Sequence, residues 1–274
     1  MYNKSLVDQL KVTVSQPSEQ LRKTTNSDFG LSNKKIGNTV KNQQKEIGRF
    51  QERLYAENKQ SLLVVFQAMD AAGKDSSIRK LNKRCNAQGV RVAKFSKPSV
   101  EELSHDYLWR VHKQVPATGK IVIFNRSHYE DVLIVKVHDW VSPSAIKERY
   151  TQINYFESLI ASSGTKVIKF MLNISPDYQL NRFKSRLGNP KKNWKFKPGD
   201  LSERKLWKQY MEAYDKALDN CSTETAPWFV IPAENRIARD YAINCVVLDT
   251  LESMGPKYPA PDFDSSKYTV DSIS

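Results

Sequence analysis

The chain has 274 residues, of which 39% are hydrophobic and 10% aromatic, and its formal net charge at pH 7 is +13. Such a chain can bury a full core, and its composition excludes a chain disordered throughout, a collagen-like chain and a coiled-coil array. No apolar run reaches the roughly 20 residues that cross a bilayer, and the first residues lack the apolar core of a signal peptide.

Apolar runs that alternate with helical patterns predict five strands separated by helices. Residues 1–30 are polar and weakly periodic, which predicts a loose N-terminal lead segment. The rest of the chain is predicted to form a single domain at 31–263 and a tail at 264–274. The predicted strands cover residues 61–69, 91–96, 120–124, 166–175 and 227–234. The predicted helices cover residues 39–59, 74–85, 101–114, 142–164, 175–187, a stretch that opens at a capping box of Asp200 and Glu203, and 236–253. This alternation favours an α/β fold with a parallel sheet between helices, in which ligands bind beyond the carboxyl ends of the strands.

A glycine-containing turn comes after the first predicted strand and reads QAMDAAGKDSS. Strand, turn and helix stand in the order of a P-loop, whose backbone N–H groups hold phosphate while a lysine, here Lys74, neutralises charge. The pattern is imperfect, because Ala68 takes the place of the first glycine and Asp75 that of the magnesium-binding Ser or Thr. The turn carries its own carboxylate, Asp70, which could hold Mg²⁺. The alternative is that Asp70 has a structural role and accepts hydrogen bonds from backbone N–H groups of the turn. The candidate phosphate-binding residues of the turn are Ala71, Ala72, Gly73, Asp75 and Ser76.

Polar residues also come after the third predicted strand, in the stretch NRSHYED. The first of them, Asn125, stands where a Walker B acid usually lies, and its amide oxygen can ligate Mg²⁺ without adding charge. Glu130 lies about one helical turn further on and could supply the missing carboxylate, as could Asp131. Arg126 can grip a phosphate with two hydrogen bonds, although a structural ion pair between Arg126 and Glu130 is an equal alternative on spacing alone.

Basic residues are concentrated between 181 and 210, where ten basic and two acidic residues give a charge of +8. Arg182 and Arg186 lie four positions apart on one face of a predicted helix, a spacing that suits a clamp on a polyanion. With the basic loop at 191–197 they predict a lid that excludes water from bound phosphates. A solvated basic face is the alternative. The candidate phosphate-binding side chains outside the turn are Lys97, Arg182, Arg186 and Lys195.

Four blocks in one order resemble the polyphosphate kinase 2 family: QAMDAAGKD, IVIFNRSHYEDVL, NPKKNWKF with the residues after it, and CSTETAPWFVIPAE. The resemblance spans about residues 35–263. It implies a single P-loop kinase domain similar to thymidylate kinase, with a five-stranded parallel sheet between helices and a helical lid at about 181–210. It also implies reversible transfer of the terminal phosphoryl group of inorganic polyphosphate to ADP, which makes ATP, with Mg²⁺ as cofactor and Mn²⁺ as the alternative.

The resemblance assigns roles to residues that match the motifs of the family. Asp70 and Lys74 match its Walker A acid and lysine, and Arg182 and Arg186 match its lid arginines. The Asn-Arg-Ser form with a following acidic pair is similar to the third subclass, which accepts AMP as well as ADP. Arg236 stands where a lysine is expected, and His128 replaces a more usual aromatic residue, which we expect to matter little. The implied catalytic residues are Asp70, Lys74, Asn125, Arg126 and Glu130, and the implied magnesium ligands are Asp70, Asn125 and Glu130.

The expected partners are inorganic polyphosphate, adenine nucleotides with guanine nucleotides left open, and further copies of the chain in a homo-oligomer. We expect neither nucleic acid nor a membrane as a partner. The three cysteines are far apart and form no C-x-x-C pair, which predicts a reducing compartment, the cytoplasm. Two other functions remain open: an ATP-dependent nucleoside monophosphate kinase on the same fold, and a nucleic-acid-binding protein that uses the basic patch at 181–210.

Overall fold

The computed structural model describes residues 2–264, 267 and 268. Over these residues the chain forms one sheet of five parallel strands, in the spatial order β2-β3-β1-β4-β5. The strands are β1 (Ser61–Ala68), β2 (Val90–Lys94), β3 (Ile121–Asn125), β4 (Thr165–Asn173) and β5 (Trp228–Pro232). The predicted α/β class with a five-stranded parallel sheet is therefore confirmed. Since β1 lies between β3 and β4, the segments that leave the carboxyl ends of these three strands meet at one edge of the sheet.

Helices cover both faces of the sheet. They are α1 (Lys4–Leu10), α2 (Ser18–Leu21), α3 (Asn33–Glu57), α4 (Lys74–Leu81), α5 (Val100–Leu103), α6 (Trp109–His112), α7 (Ile134–Val137), α8 (Pro143–Ser162), α9 (Pro176–Leu187), α10 (Gly199–Lys205), α11 (Trp207–Cys221) and α12 (Arg236–Met254). Short 3₁₀ helices span Ala87–Gly89, His128–Val132 and Pro190–Lys195. No helix in the part of the chain described combines the length and hydropathy that a bilayer span requires.

The core is two apolar layers, one on each face of the sheet. Side chains of β1 alternate between them: Leu62, Val64 and Phe66 pack with α1, α3, α4 and α12, and Leu63 and Val65 pack with α8 and α11. All eight residues of β1 are buried, as expected for a central parallel strand. The continuous apolar run in the sequence thus reflects a strand that is covered on both faces.

The segment before residue 31 differs from the predicted loose lead. In α1 the side chains of Leu6, Val7 and Leu10 are buried in the layer that contains α12, and the backbone N–H of Val12 donates to Trp228 O at 2.9 Å. The apolar residues of this segment are few, so their periodicity in the sequence is weak. Their burial against the core nevertheless holds the segment on the domain. The boundaries at 31 and 263 remain predictions, and tail residues 265, 266 and 269–274 lie outside the described part.

Two predicted helices are divided in the structure, the one at 101–114 into α5 and α6, and the one that begins near residue 200 into α10 and α11. The helix expected at 101–114 is interrupted because the Asp106 carboxylate accepts from the N–H groups of Leu108 and Trp109, at 2.9 and 3.1 Å, and so starts a new turn. The predicted capping box of Asp200 and Glu203 is wrong, since α10 begins at Gly199 without a side-chain cap. The carboxylate of Glu203 is instead engaged by the Tyr210 hydroxyl and by the ring of His138.

Candidate active site

The turn between β1 and α4 has the backbone geometry of a phosphate-binding loop. Ala71 and Gly73 have positive φ, at 68° and 106°, and α4 begins directly afterwards at Lys74. The ammonium of Lys74 crosses the turn and donates to Ala68 O at 2.8 Å. Burial lowers the pKa of Lys74, against the attraction of the nearby carboxylate of Asp70. A poorly hydrated cation beside the backbone N–H groups of a helix start is suited to a multiply charged phosphate.

A guanidinium lies between two carboxylates at the mouth of this loop. Arg126 donates through Nη2 to Asp70 Oδ1 at 3.0 Å, and its Nη1 lies 3.9 Å from Glu130 Oε2. Arg126 has φ of 62°, and its N–H donates to Phe66 O of β1 at 3.1 Å. Burial would raise the pKa of Asp70, but the charges of Lys74 and Arg126 outweigh it and hold that pKa below its usual value. Asp70 is therefore a carboxylate at neutral pH.

The amide of Asn125 joins β3 to the start of α4. Its Nδ2 donates to Asp75 Oδ1 at 2.7 Å, although the two residues are far apart in sequence. This hydrogen bond turns the amide nitrogen towards Asp75, so the amide oxygen is the atom of this side chain that could ligate a cation. Asp75, which replaces the usual Ser or Thr, thus connects the end of β3 to the first turn of α4.

Oxygen donors at the site fit a magnesium ion that is shared with a substrate. Asp70, Glu130 and Asn125 supply two carboxylates and one amide, the hard donors that Mg²⁺ prefers. Within residues 2–264, 267 and 268 there is no group of three or more His, Cys, Asp or Glu side chains that could hold a metal alone. Where Mg²⁺ is bound together with phosphate groups, it typically has one or two carboxylate ligands along with phosphate oxygens and water, so these residues suit that role.

The basic side chains predicted to bind phosphate outside the turn differ in their surroundings. Arg186 lies 3.7 Å from Asp200 and donates to Lys195 O at 2.9 Å, and its charge also lowers the pKa of Asp70. Arg182 is half-buried, and burial together with the like charge of Arg236 lowers its pKa. Two guanidinium groups close enough to repel each other favour an anion between them. Of the four predicted side chains outside the turn, Lys97 and Lys195 are exposed.

The sequence model of the family Polyphosphate kinase 2 (PPK2) matches residues 30–259. The chain belongs to this family. Among its relatives, the AMP/ADP-polyphosphate phosphotransferase of Meiothermus ruber is 48% identical over 227 residues, 83% of this chain and 85% of that protein. The ADP-polyphosphate phosphotransferase of Rhodopseudomonas palustris is 40% identical over 232 residues, 80% of each chain. The crystal structure of Polyphosphate Kinase 2 from Arthrobacter aurescens TC1 superposes with a TM-score of 0.94 at 38% identity, covering 100% of this chain and 99% of that one. Membership confirms the resemblance found in the sequence, the kinase-type enzyme class and the P-loop kinase fold.

Two buried side chains support the loop, and their role was not predicted from the sequence. Arg239 on α12 lies beneath Gly73 and donates to Ser76 Oγ at 3.2 Å and to Asp240 Oδ1 at 2.8 Å. Gln179 on α9 donates to Asp70 O at 3.0 Å and accepts from Arg204 of α10 at 3.1 Å. Arg239 is 2% exposed and Gln179 1%. Neither belongs to a phosphate-binding pattern, and the only signal was a polar residue on the apolar face of a helix.

Proposed function

We propose that the protein transfers the terminal phosphoryl group of inorganic polyphosphate to ADP, and also to AMP, in a reversible reaction that requires Mg²⁺. One observation carries the proposal: Asp70, Arg126 and Glu130 lie together at the mouth of the loop that holds Lys74, in a chain 48% identical to an AMP/ADP-polyphosphate phosphotransferase. The arrangement joins cations for phosphate oxygens to carboxylates for a metal, which is what phosphoryl transfer needs.

The chemistry is a displacement at phosphorus. A phosphate oxygen of the acceptor nucleotide forms a bond to the terminal phosphorus of the chain, the bridging P–O bond breaks, and the shortened polyphosphate leaves with the electron pair. The attacking oxygen is already anionic, so no strong general base is required. Lys74 neutralises charge on the transferred group, and Arg126, held between Asp70 and Glu130, can contact its equatorial oxygens. Asp70, Glu130 and Asn125 are the proposed ligands of Mg²⁺, which would supply further charge neutralisation when bound.

The basic lid gives the proposed donor its binding surface. Polyphosphate carries about one negative charge per phosphate, and a row of such charges requires several cations. Arg182 and Arg186 on α9 and Arg236 on α12 form an arginine cluster near the loop, and we assign it to the donor. Lys97 and Lys195 extend it in our proposal. Closure of the lid would exclude water, so that the phosphoryl group passes to the nucleotide instead of being hydrolysed.

The proposal has three further parts that concern context. Adenine nucleotides are the proposed acceptors, and guanine nucleotides stay open as an alternative, because every role proposed above for a residue of the site is toward phosphate or magnesium and none is toward a base. The functional unit is proposed to be a homo-oligomer. The cytoplasm is the proposed location, since Cys85, Cys221 and Cys245 are free thiols that suit a reducing compartment.

The decisive experiment is ATP formation from ADP and long-chain polyphosphate with Mg²⁺, in the absence of added ATP. We expect ATP in proportion to polyphosphate, and ADP when AMP replaces ADP. Lys74→Ala should reduce turnover by about 100-fold or more, the scale of one lost transition-state contact, while circular dichroism shows an unchanged fold. Lys83→Ala is the matched control, because Lys83 is an exposed lysine just beyond the other end of α4.

The controls separate the proposal from its competitors. ATP that forms equally well without polyphosphate would indicate an ATP-dependent monophosphate kinase acting on two ADP molecules. A folded Lys74→Ala variant with the wild-type rate would contradict the assignment of the loop. Loss of activity in EDTA, and its recovery with Mg²⁺ or Mn²⁺, tests the metal requirement.

A further inference from the structure

A fully buried polar network lies on the side of the sheet that faces α8 and α11. The carboxylate of Glu157 on α8 accepts from the Tyr129 hydroxyl at 2.9 Å, lies 3.3 Å from Nε2 of His128, and pairs with the ammonium of Lys169. Lys169 on β4 also donates to the Tyr129 hydroxyl at 2.9 Å and to Cys221 O at 2.7 Å. The four side chains of the network are at most 1% exposed.

The network satisfies its charges within an apolar layer. The three N–H bonds of Lys169 all have acceptors, and the two oxygens of Glu157 are shared among three donors. Charges buried this deeply cost free energy even when they are paired, and replacing a buried ion pair by hydrophobic residues of similar volume is often neutral or stabilising for a protein core. Fold stability alone therefore gives no reason for the network, which suggests a role in holding a particular geometry.

Two members of the network belong to the segment that carries the reacting groups. His128 and Tyr129 begin the 3₁₀ helix His128–Val132, which comes directly after Arg126 and Ser127 and contains Glu130. A single 3₁₀ turn has few hydrogen bonds of its own, so its position depends on what its side chains contact. The rest of the network lies on regular secondary structure, namely β4, α8 and the last residue of α11.

We propose that Glu157, Lys169, Tyr129 and His128 are positioning residues that fix the 3₁₀ turn and thereby hold Arg126 and Glu130 at the phosphate-binding loop. The inference rests on the proposed function for the roles of Arg126 and Glu130. It also revises the expectation that the histidine at 128 matters little, since its ring is buried and contacts the central carboxylate.

Tyr129→Phe tests the inference, because it removes one hydroxyl from the network and leaves the ring in place. Its matched control is Tyr150→Phe on α8, whose buried hydroxyl has no hydrogen-bond partner among the described residues. We expect Tyr129→Phe to lower kcat about 10-fold to 100-fold, as small misplacements of reacting groups do, with the KM for ADP within about twofold of wild type. Tyr150→Phe should leave both constants unchanged. Both variants are assayed well below their thermal midpoints.

Hydrogen exchange measured by mass spectrometry gives a readout that is independent of activity. In Tyr129→Phe the backbone amides of residues 127–132 should exchange faster, and those of β1 should not, whereas Tyr150→Phe should match wild type throughout. The inference requires both the lower kcat and the faster exchange. It would be overturned by a wild-type kcat in folded Tyr129→Phe, by unchanged exchange at 127–132, or by equal effects of the two variants. A wild type without polyphosphate-dependent turnover would refute the proposed function, while the exchange comparison would still decide whether the network holds the turn.

Discussion

Replacement of Gly73 by alanine tests how closely the phosphate-binding loop depends on the arginine beneath it. Gly73 has φ of 106°, a conformation in which an L residue is strained by about 1–2 kcal/mol. An alanine Cβ would also lie less than 3.0 Å from Nη1 of Arg239 and 3.3 Å from Ser76 Oγ. Because the guanidinium is buried and held by Asp240, displacing it loses a charged hydrogen bond worth about 1.5–3 kcal/mol. Together these effects should lower the free energy of unfolding by about 2.5–5 kcal/mol.

Gly164→Ala separates the two contributions. Gly164 has a similar φ of 88°, but the nearest atom to an added Cβ is Lys59 O at 3.7 Å, an ordinary contact. Urea unfolding followed by circular dichroism should therefore show a loss of only about 1–2 kcal/mol for Gly164→Ala. ATP formation should fall sharply in Gly73→Ala and stay near wild type in the control. Equal losses of stability in both variants, or a wild-type rate in Gly73→Ala, would refute the reasoning.

Two further predictions concern charge. Arg182→Ala should raise the KM for polyphosphate and weaken the dependence of that KM on salt, because one phosphate contact is lost. The control is Lys184→Ala, which removes an exposed charge from the same helix. Equal effects of the two variants would show that only net charge matters. Burial raises the pKa of Asp131 to about 6, and Arg110 and Arg149, at 3.9 and 3.7 Å, do not offset it. The folded protein then holds a proton that the unfolded chain, with a carboxyl pKa near 4, releases earlier. The contribution of Asp131 to the free energy of unfolding should therefore fall by about 2 kcal/mol as pH rises from 4 to 6. Asp131→Asn should flatten this part of the pH profile measured by urea unfolding, and an unchanged profile would show that Asp131 does not titrate there.

The order of the elements and much of the site could be predicted from the sequence. The five strands lie within two residues of their predicted bounds at every end. Four of them are buried along nearly their whole length and read as apolar runs, whereas β2 lies at the edge of the sheet and has several exposed residues. Asp70 and Arg126 could be placed together because each comes after a strand and the carboxyl ends of neighbouring parallel strands meet at one edge. The spacing left open whether Arg126 pairs with Glu130 or serves phosphate, and the structure places it 3.0 Å from Asp70 as well.

The parts that could not be predicted depend on contacts between distant residues. Arg239 meets Ser76 across 163 positions, and Lys169 meets Tyr129 across 40. A charged residue in a helix or strand looks the same in sequence whether it faces water or a buried partner, so its role appears only when the partner is known. The same holds for α1, whose few apolar residues become significant only through the surface they cover.

Local physics thus determined the alternation of strands and helices, the sharp turn before α4 and the basic segment at 181–210, because hydrophobic periodicity, turn chemistry and runs of charge act over a few residues. Only the tertiary structure decided which buried charges are paired, what lies beneath Gly73 and which side chains hold the turn after Arg126. Burial removes the solvation of a charge, and whether that cost is met depends on the position of a second side chain that no local pattern specifies.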